Sequence, residues 1–308
     1  VADDLLDRFF GRGVPQLGGP PVANPRTGDP LGLQLLFNEP LALDAGEVQK
    51  ALRDYHPELA GATAELFAVP PHDGAAGHDG AEPALMGLCG WGRHVVKVVG
   101  FAAPMAAETV RACVRPALLD PQFKKIAYEH QAHVLLYYAG YDGDALEQYA
   151  ALAAAAGALA YFGATFVLNE IGRTAVPAAV LHPHEEDNGD MLGALRRFPL
   201  LLLYCGFAQF EVEGTPGVWM RTHGADRFGL PDFAHRTENR ELVQFTFELF
   251  NNLFAYLRET GIRFGPDSRF QLDDHLFFQF RARTPDEWYL ESPGEMLVVD
   301  RMSESQKP

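Results

Sequence analysis

The best metal candidate in this chain is the run His182-Pro-His184-Glu-Glu-Asp187, with Asp190 close behind it. Residues two apart on a strand face one way, and imidazole combined with carboxylate suits zinc or iron. His182, His184 and Glu185 or Glu186 are therefore candidate ligands, and a metal-dependent hydrolase built on them would use another carboxylate as its base. The same residues also read as an acidic, solvated loop. They follow the apolar stretch 175–181, contain Pro183 and lack the recognisable spacing of a metal motif, so the loop reading is preferred. A second group, His223, Arg227 and Asp232, surrounds Gly224, Gly229 and Pro231. It reads either as a possible recognition surface or as a turn that positions the long helix after it.

Other chemistries lack their parts. The chain has four serines, Ser268, Ser292, Ser303 and Ser305, none in a Gly-x-Ser-x-Gly elbow, so a serine hydrolase has no evident nucleophile. The five lysines follow no Gly-rich turn, which removes P-loop phosphate binding. Cys89, Cys113 and Cys205 show no CxxC spacing and sit in apolar stretches, as small buried hydrophobes in a reducing compartment do. His130 and His133 lie three apart across a helix-to-strand change and read as structural, while His72 and His78 fall in a Pro/Gly loop. No catalytic residue and no cofactor are assigned on this reading.

Composition narrows the setting. In 308 residues, 47% are apolar and 11% aromatic, enough for a sizeable core. The 25 basic against 41 acidic side chains leave a net charge of −16, which repels phosphate and argues against nucleic acid or an anionic membrane as partner. The uncharged run 150–168 is long enough to test as a membrane span, but it is mostly Ala and is broken by Gly157 and Gly163. It reads as a buried helix followed by a short strand. The acidic start of the chain is unlike a signal peptide, so a cytoplasmic location is expected.

The elements that would position these residues follow from pattern and caps. Residues 13–30 mix Pro and Gly too densely for regular structure, so the first thirty residues are expected to be a short amphipathic piece and a flexible tether whose removal leaves the melting temperature almost unchanged. Strands are predicted at 31–37, 63–69, 84–91, 94–101 and 132–138, with the hairpin turn at Gly90, Gly92 and Arg93. Asp44 with Glu47 opens a helix to Tyr55, helices follow over 106–119 and to about 129, and Asp144 opens the Ala-rich helix to Ala160. The resulting order predicts the α+β class: mainly antiparallel sheet with helices packed on one face, ferredoxin-like in the first half. A division near Pro199 splits the globular part, 31–302, into lobes of about 31–198 and 199–302, ahead of a tail at 303–308. In the second lobe, strands are predicted at 200–210, 218–222, 270–280 and 287–299, and a helix over 238–260 that Gly261 stops.

Four pieces together resemble the bacterial family of unknown function DUF4261: His130-Gln-Ala-His133-Val-Leu-Leu; the helix 144–160 leading into Tyr161-Phe162-Gly163; the segment from Thr222 to Asp232; and Asn251-Asn-Leu-Phe-Ala-Tyr256 before Gly265-Pro-Asp-Ser268. The resemblance spans about residues 31–300 and implies a sheet with helices packed on it, with no activity attached. Together with the acidic charge it leads to a non-enzymatic interaction module, of the immunity or stress type, for a basic protein partner. The alternative is the hydrolase on His182, His184 and Glu185. The sequence does not fix the oligomeric state.

Overall fold

Capping and alternation place the helices and strands of the first half in the order expected. The computed structural model describes residues 2–15, 19–70, 82–117, 119–183, 189–239, 241–273 and 276–302, and the fold is α+β. The elements are α1 (Ala2–Phe9), β1 (Gly32–Phe37), α2 (Ala45–Tyr55), β2 (Thr63–Ala68), β3 (Leu85–Trp91), β4 (His94–Phe101), α3 (Ala107–Val114), α4 (Pro121–Tyr128), β5 (Ala132–Tyr138), α5 (Ala145–Ala160), β6 (Ala164–Asn169), β7 (Thr174–Pro177) and α6 (Met191–Arg197). They continue with α7 (Leu200–Leu203), β8 (Gly206–Val212), β9 (Thr215–His223), β10 (Asp232–Thr237), α8 (Leu242–Thr260), β11 (Arg269–Asp273), β12 (Leu276–Ala282) and β13 (Met296–Arg301). The chain divides into one unit of residues 1–170 with 175–198 and another of 171–174 with 199–308.

In the first unit the strand order is β2-β3-β4-β5-β1-β6-β7, with antiparallel pairing across β2 to β6. Side chains opposite one another in the ladder share a face. One face carries Leu33, Leu35, Val96, Val98, Val134 and Leu136, all buried, and α5 packs over it. Asp44 and Asp144 accept from the first amides of α2 and α5, which fixes where both helices begin. Helix α5 is enclosed by the sheet, α2, α6 and residues 178–181, so nearly all its positions are buried. That enclosure explains the uncharged Ala run, because only small side chains let four neighbours approach one helix closely. Among the described residues no helix is long and apolar enough to cross a membrane.

Gly157 marks the closest approach. A Cβ there would lie 2.4 Å from the Leu181 carbonyl and 2.6 Å from the Tyr55 ring, whose hydroxyl donates to that same carbonyl at 2.6 Å. Gly157→Ala is expected to destabilise by about 1–3 kcal/mol although Ala is the better helix former. Urea denaturation checks this, and a variant as stable as the parent would show that the helix shifts freely.

The opposite face is covered as well, so helices lie on both sides of this sheet rather than on one. Helices α3 and α4 bury Leu36, Phe166 and Leu168 at one end. Helix α1 covers the other end, where Leu5 and Phe9 pack with Leu88 and Val95. The described part of residues 1–30 is therefore docked, not a flexible tether. Arg8 donates to both carboxylate oxygens of Glu65 and to the Pro21 carbonyl. The Asn24 amide donates to the Ala139 carbonyl at 2.8 Å, and the Tyr141 hydroxyl to that of Val22 at 3.1 Å. The described residues of 10–31 form no helix or strand, as their Pro and Gly predict, but these distant partners hold them in place without one.

The second unit has the strand order β11-β12-β13-β10-β9-β8, antiparallel except for the parallel pair β10 and β13. Helix α8 lays Phe250 and Phe254 against Phe233 on one face and is closed by Gly261 in the left-handed conformation. The other face carries Trp219, Ala234, Met296 and Val298, under the short 3-10 helix at Pro285–Leu290. Two predicted strands change type. Residues 200–203 are helical, because a run of four leucines has no period to distinguish the two structures. Residues 287–290 belong to the 3-10 helix, which Thr284, Pro285 and Glu287 start as a capping box.

Candidate functional site

Of the proposed metal set only His182 lies among the described residues; His184, Glu185, Glu186 and Asp187 fall outside them, as do His72 and His78. His182 closes the short helix Ala178–Leu181, and its ring stacks on Tyr161 with centroids 4.7 Å apart. Asp190 serves as the N-cap of α6, accepting from the Gly193 amide at 2.9 Å. Among the described residues no three His, Cys, Asp or Glu side chains are grouped so as to hold a metal.

The trio His223, Arg227 and Asp232 is brought to one turn, but Asp232 points inward. It is 1% exposed and accepts from the Thr222 hydroxyl at 2.9 Å, the Ser292 hydroxyl at 2.5 Å and the Ala225 amide at 3.3 Å. Burial raises its pKa despite those three donors. The carboxylate therefore ties the end of β9 to the start of β10 and is not part of a recognition surface. Gly224 and Gly229, both at positive φ, bracket the intervening turn. His223 is pushed down to about 3 by burial and by Arg221 and Arg173, so its imidazole is neutral. Arg221 is buried too and donates to the carbonyls of Tyr289 and Glu291, pinning residues 285–291 onto the sheet.

His130 and His133 are structural, as their hydrogen bonds require. His130 Nε2 accepts from the Met105 amide at 2.8 Å while Nδ1 lies 2.8 Å from the Ala127 carbonyl. His133 Nδ1 lies 2.8 Å from the Ala103 carbonyl, and its ring stacks on Phe101. The three cysteines are buried, Cys113 donating to the Asn169 carbonyl, and burial raises Cys89 to about 12 and Cys205 well above its ordinary value. Such thiols are protonated at neutral pH and are poor nucleophiles.

A site that motif reasoning did not find lies at the β8–β9 hairpin. Strand β8 is an edge strand, and beyond a bulge after Phe210 its Val212 pairs with Thr215. Glu211 and Glu213 flank Val212 on this tip. Gly217, at positive φ, approaches β10 so closely that a Cβ would lie 2.5 Å from the Thr237 carbonyl. That approach brings Glu238 beside the hairpin. The result is an open groove of about 550 Å3 lined by Glu211, Glu213 and Glu238 with Val212, Thr215 and Val218, and among the described residues no basic one lines it. Beside it runs an aromatic series. Phe210 meets Tyr289 at 6.0 Å, and Tyr289 meets Trp288 at 5.8 Å, with Trp288 71% exposed. The signal in the sequence was the alternation Glu211-Val-Glu213, but the third carboxylate comes from a strand end that only the sheet order brings near.

Scans of protein-family models, of curated proteins and of solved structures each find no match to this chain.

Proposed function

We propose that this chain is a non-enzymatic binding module whose partner is a basic protein segment, received at the tip of the β8–β9 hairpin. The observation that carries the reading is the convergence of Glu211, Glu213 and Glu238 on one open groove, with no basic residue in its wall among the described residues. Carboxylates so placed attract lysine and arginine, and the net charge of −16 steers cations toward the molecule from a distance. The exposed Trp288 face adds a surface on which a guanidinium can stack. Acidic side chains on an edge strand also discourage like strands from pairing there, which favours a partner of opposite charge over a second copy.

The test uses a fluorescent, extended peptide of alternating Lys and Ser, with a Glu/Ser peptide of the same length as control. The cationic peptide is expected to bind and the acidic one not. Raising salt should weaken binding, and the triple reversal E211K/E213K/E238K should weaken it about tenfold or more at low salt. Equal affinity of parent and triple variant would remove the groove from the reading. Failure of any cationic peptide to bind at low salt would remove the reading itself.

A further inference from the structure

Among the described residues β8 has one ladder neighbour, β9, and its other side is the margin of the sheet. No backbone hydrogen bond outside that ladder reaches Phe207, Ala208, Gln209, Phe210 or Val212 among the described residues. In an antiparallel strand alternate residues turn their N–H and C=O away from the neighbour, so this margin presents a row of donors and acceptors. Phe210 pairs with Trp219 and Val212 with Thr215, so the extra residues of that irregularity belong to β9 and β8 itself carries no bulge. A straight margin of this kind can take a further strand.

The two faces of β8 differ in chemistry. Phe207 packs on Phe247 and Phe250 of α8, so Gln209 and Glu211, two and four residues on, share that face, where both are exposed. Phe210 and Val212 lie on the opposite face, half-buried against Tyr289 and the Trp219 cluster, with Ala208 in line with them. A strand laid along the margin therefore meets polar and acidic side chains on one face and apolar ones on the other.

We infer, resting on the basic-segment reading above, that the partner binds by adding itself to β8 as a further strand. Its main chain pairs with the free margin, which supplies affinity, and its alternate side chains supply selectivity. Lys or Arg at every second position lies beside Gln209 and Glu211, and aliphatic residues between them lie beside Ala208, Phe210 and Val212. The partner is thus a segment of alternating basic and aliphatic residues, a narrower class than any cationic chain.

The test combines peptide binding with amide hydrogen exchange on the full chain. The peptide Ser-Lys-Val-Lys-Val-Lys-Ser is compared with Ser-Lys-Lys-Lys-Val-Val-Ser, of equal composition and charge, and is expected to bind about tenfold tighter. Two further forms carry N-methyl groups on the three Lys amides or on the two Val amides. In an added strand one set of amides faces β8 and the other faces solvent, so one form should lose about tenfold or more and the other should stay within about threefold of the parent peptide. Bound parent peptide should also slow exchange of the amides at 208–212. If both methylated forms behave alike, if the two unmethylated peptides bind equally, or if exchange at 208–212 is unchanged while peptide is bound, strand addition is wrong and the acidic groove stands without it. If no cationic peptide binds at low salt, the groove reading falls as well. Slow exchange at 208–212 in the peptide-free chain, together with a dimer in sedimentation, would put a second copy on this margin and overturn the inference.

Discussion

Phe9→Ala is expected to lower the stability of the first unit by about 3 kcal/mol, and Leu5→Ala by a similar amount, because both side chains are buried against β3 and β4. For a unit of this size that is roughly 6–12 °C in Tm. Deleting residues 1–24 should do more, since it also removes Val22 and Ala23 and strips Arg8 from Glu65. The loss is then on the order of 5 kcal/mol, comparable with the whole stability of many domains. Exposed apolar surface on Leu88, Val95 and Phe67 would make the truncated chain bind a hydrophobic dye at room temperature. Calorimetry with a dye-binding assay checks this. A Tm within a degree of the parent, with no dye bound, would mean that α1 does not stay docked in solution.

The second large effect is expected with acid. Burial lowers the pKa of His94, His130, His133, His223 and His235, the fourth to about 3. In the folded chain these rings stay neutral where the unfolded chain, with ordinary values near 6.5, takes up protons. The unfolded state therefore binds more protons below pH 6.5, and stability falls as pH drops from there toward the folded values. His223 alone contributes on the order of 3–4 kcal/mol by pH 3. Glu287, lowered by its pairing with Arg281, adds to the loss below its ordinary 4.5. Asp232 opposes it, since burial raises its pKa and the folded state is the first to take that proton.

Five histidines against one aspartate leave a clear net sign. Urea titrations from pH 7.5 to 4.5, in salt sufficient to screen the charge of −16, should show unfolding free energy dropping by several kcal/mol with uptake of more than one proton. His223→Asn should flatten the slope by about one proton while leaving the other four contributions. Stability that is level across this range would refute the burial of these rings.

Much of the architecture was readable because its signals are local. Asp44 and Asp144 announce their helices, and β4 and β5 span the residues that alternation marks. What could not be read depends on distant partners. Leu5 and Phe9 look like an isolated amphipathic turn until Glu65 and Leu88 are known to face them. Asp232 sits among glycines and a proline, a setting that suggests a surface turn. Only the return of Ser292, sixty residues later, shows the carboxylate to be enclosed. The hairpin groove is of the same kind, since Glu238 is brought to Glu211 and Glu213 by sheet order. The helix at 200–203 is a different case, where the local signal exists but does not discriminate.

The position of β13 has a consequence for biosynthesis. It is the last described strand to be made, yet it lies inside its sheet, between β10 and β12. Until residues 296–301 have been synthesised, β10 and β12 each present an unfilled ladder, and the parallel pairing that joins them has to span some sixty residues. Such a closure is slow compared with hairpin formation, and the waiting strands can pair with other chains. Nascent chains arrested before residue 296 should therefore depend on chaperones, while the first unit, whose strands are complete by residue 177, can already be folded.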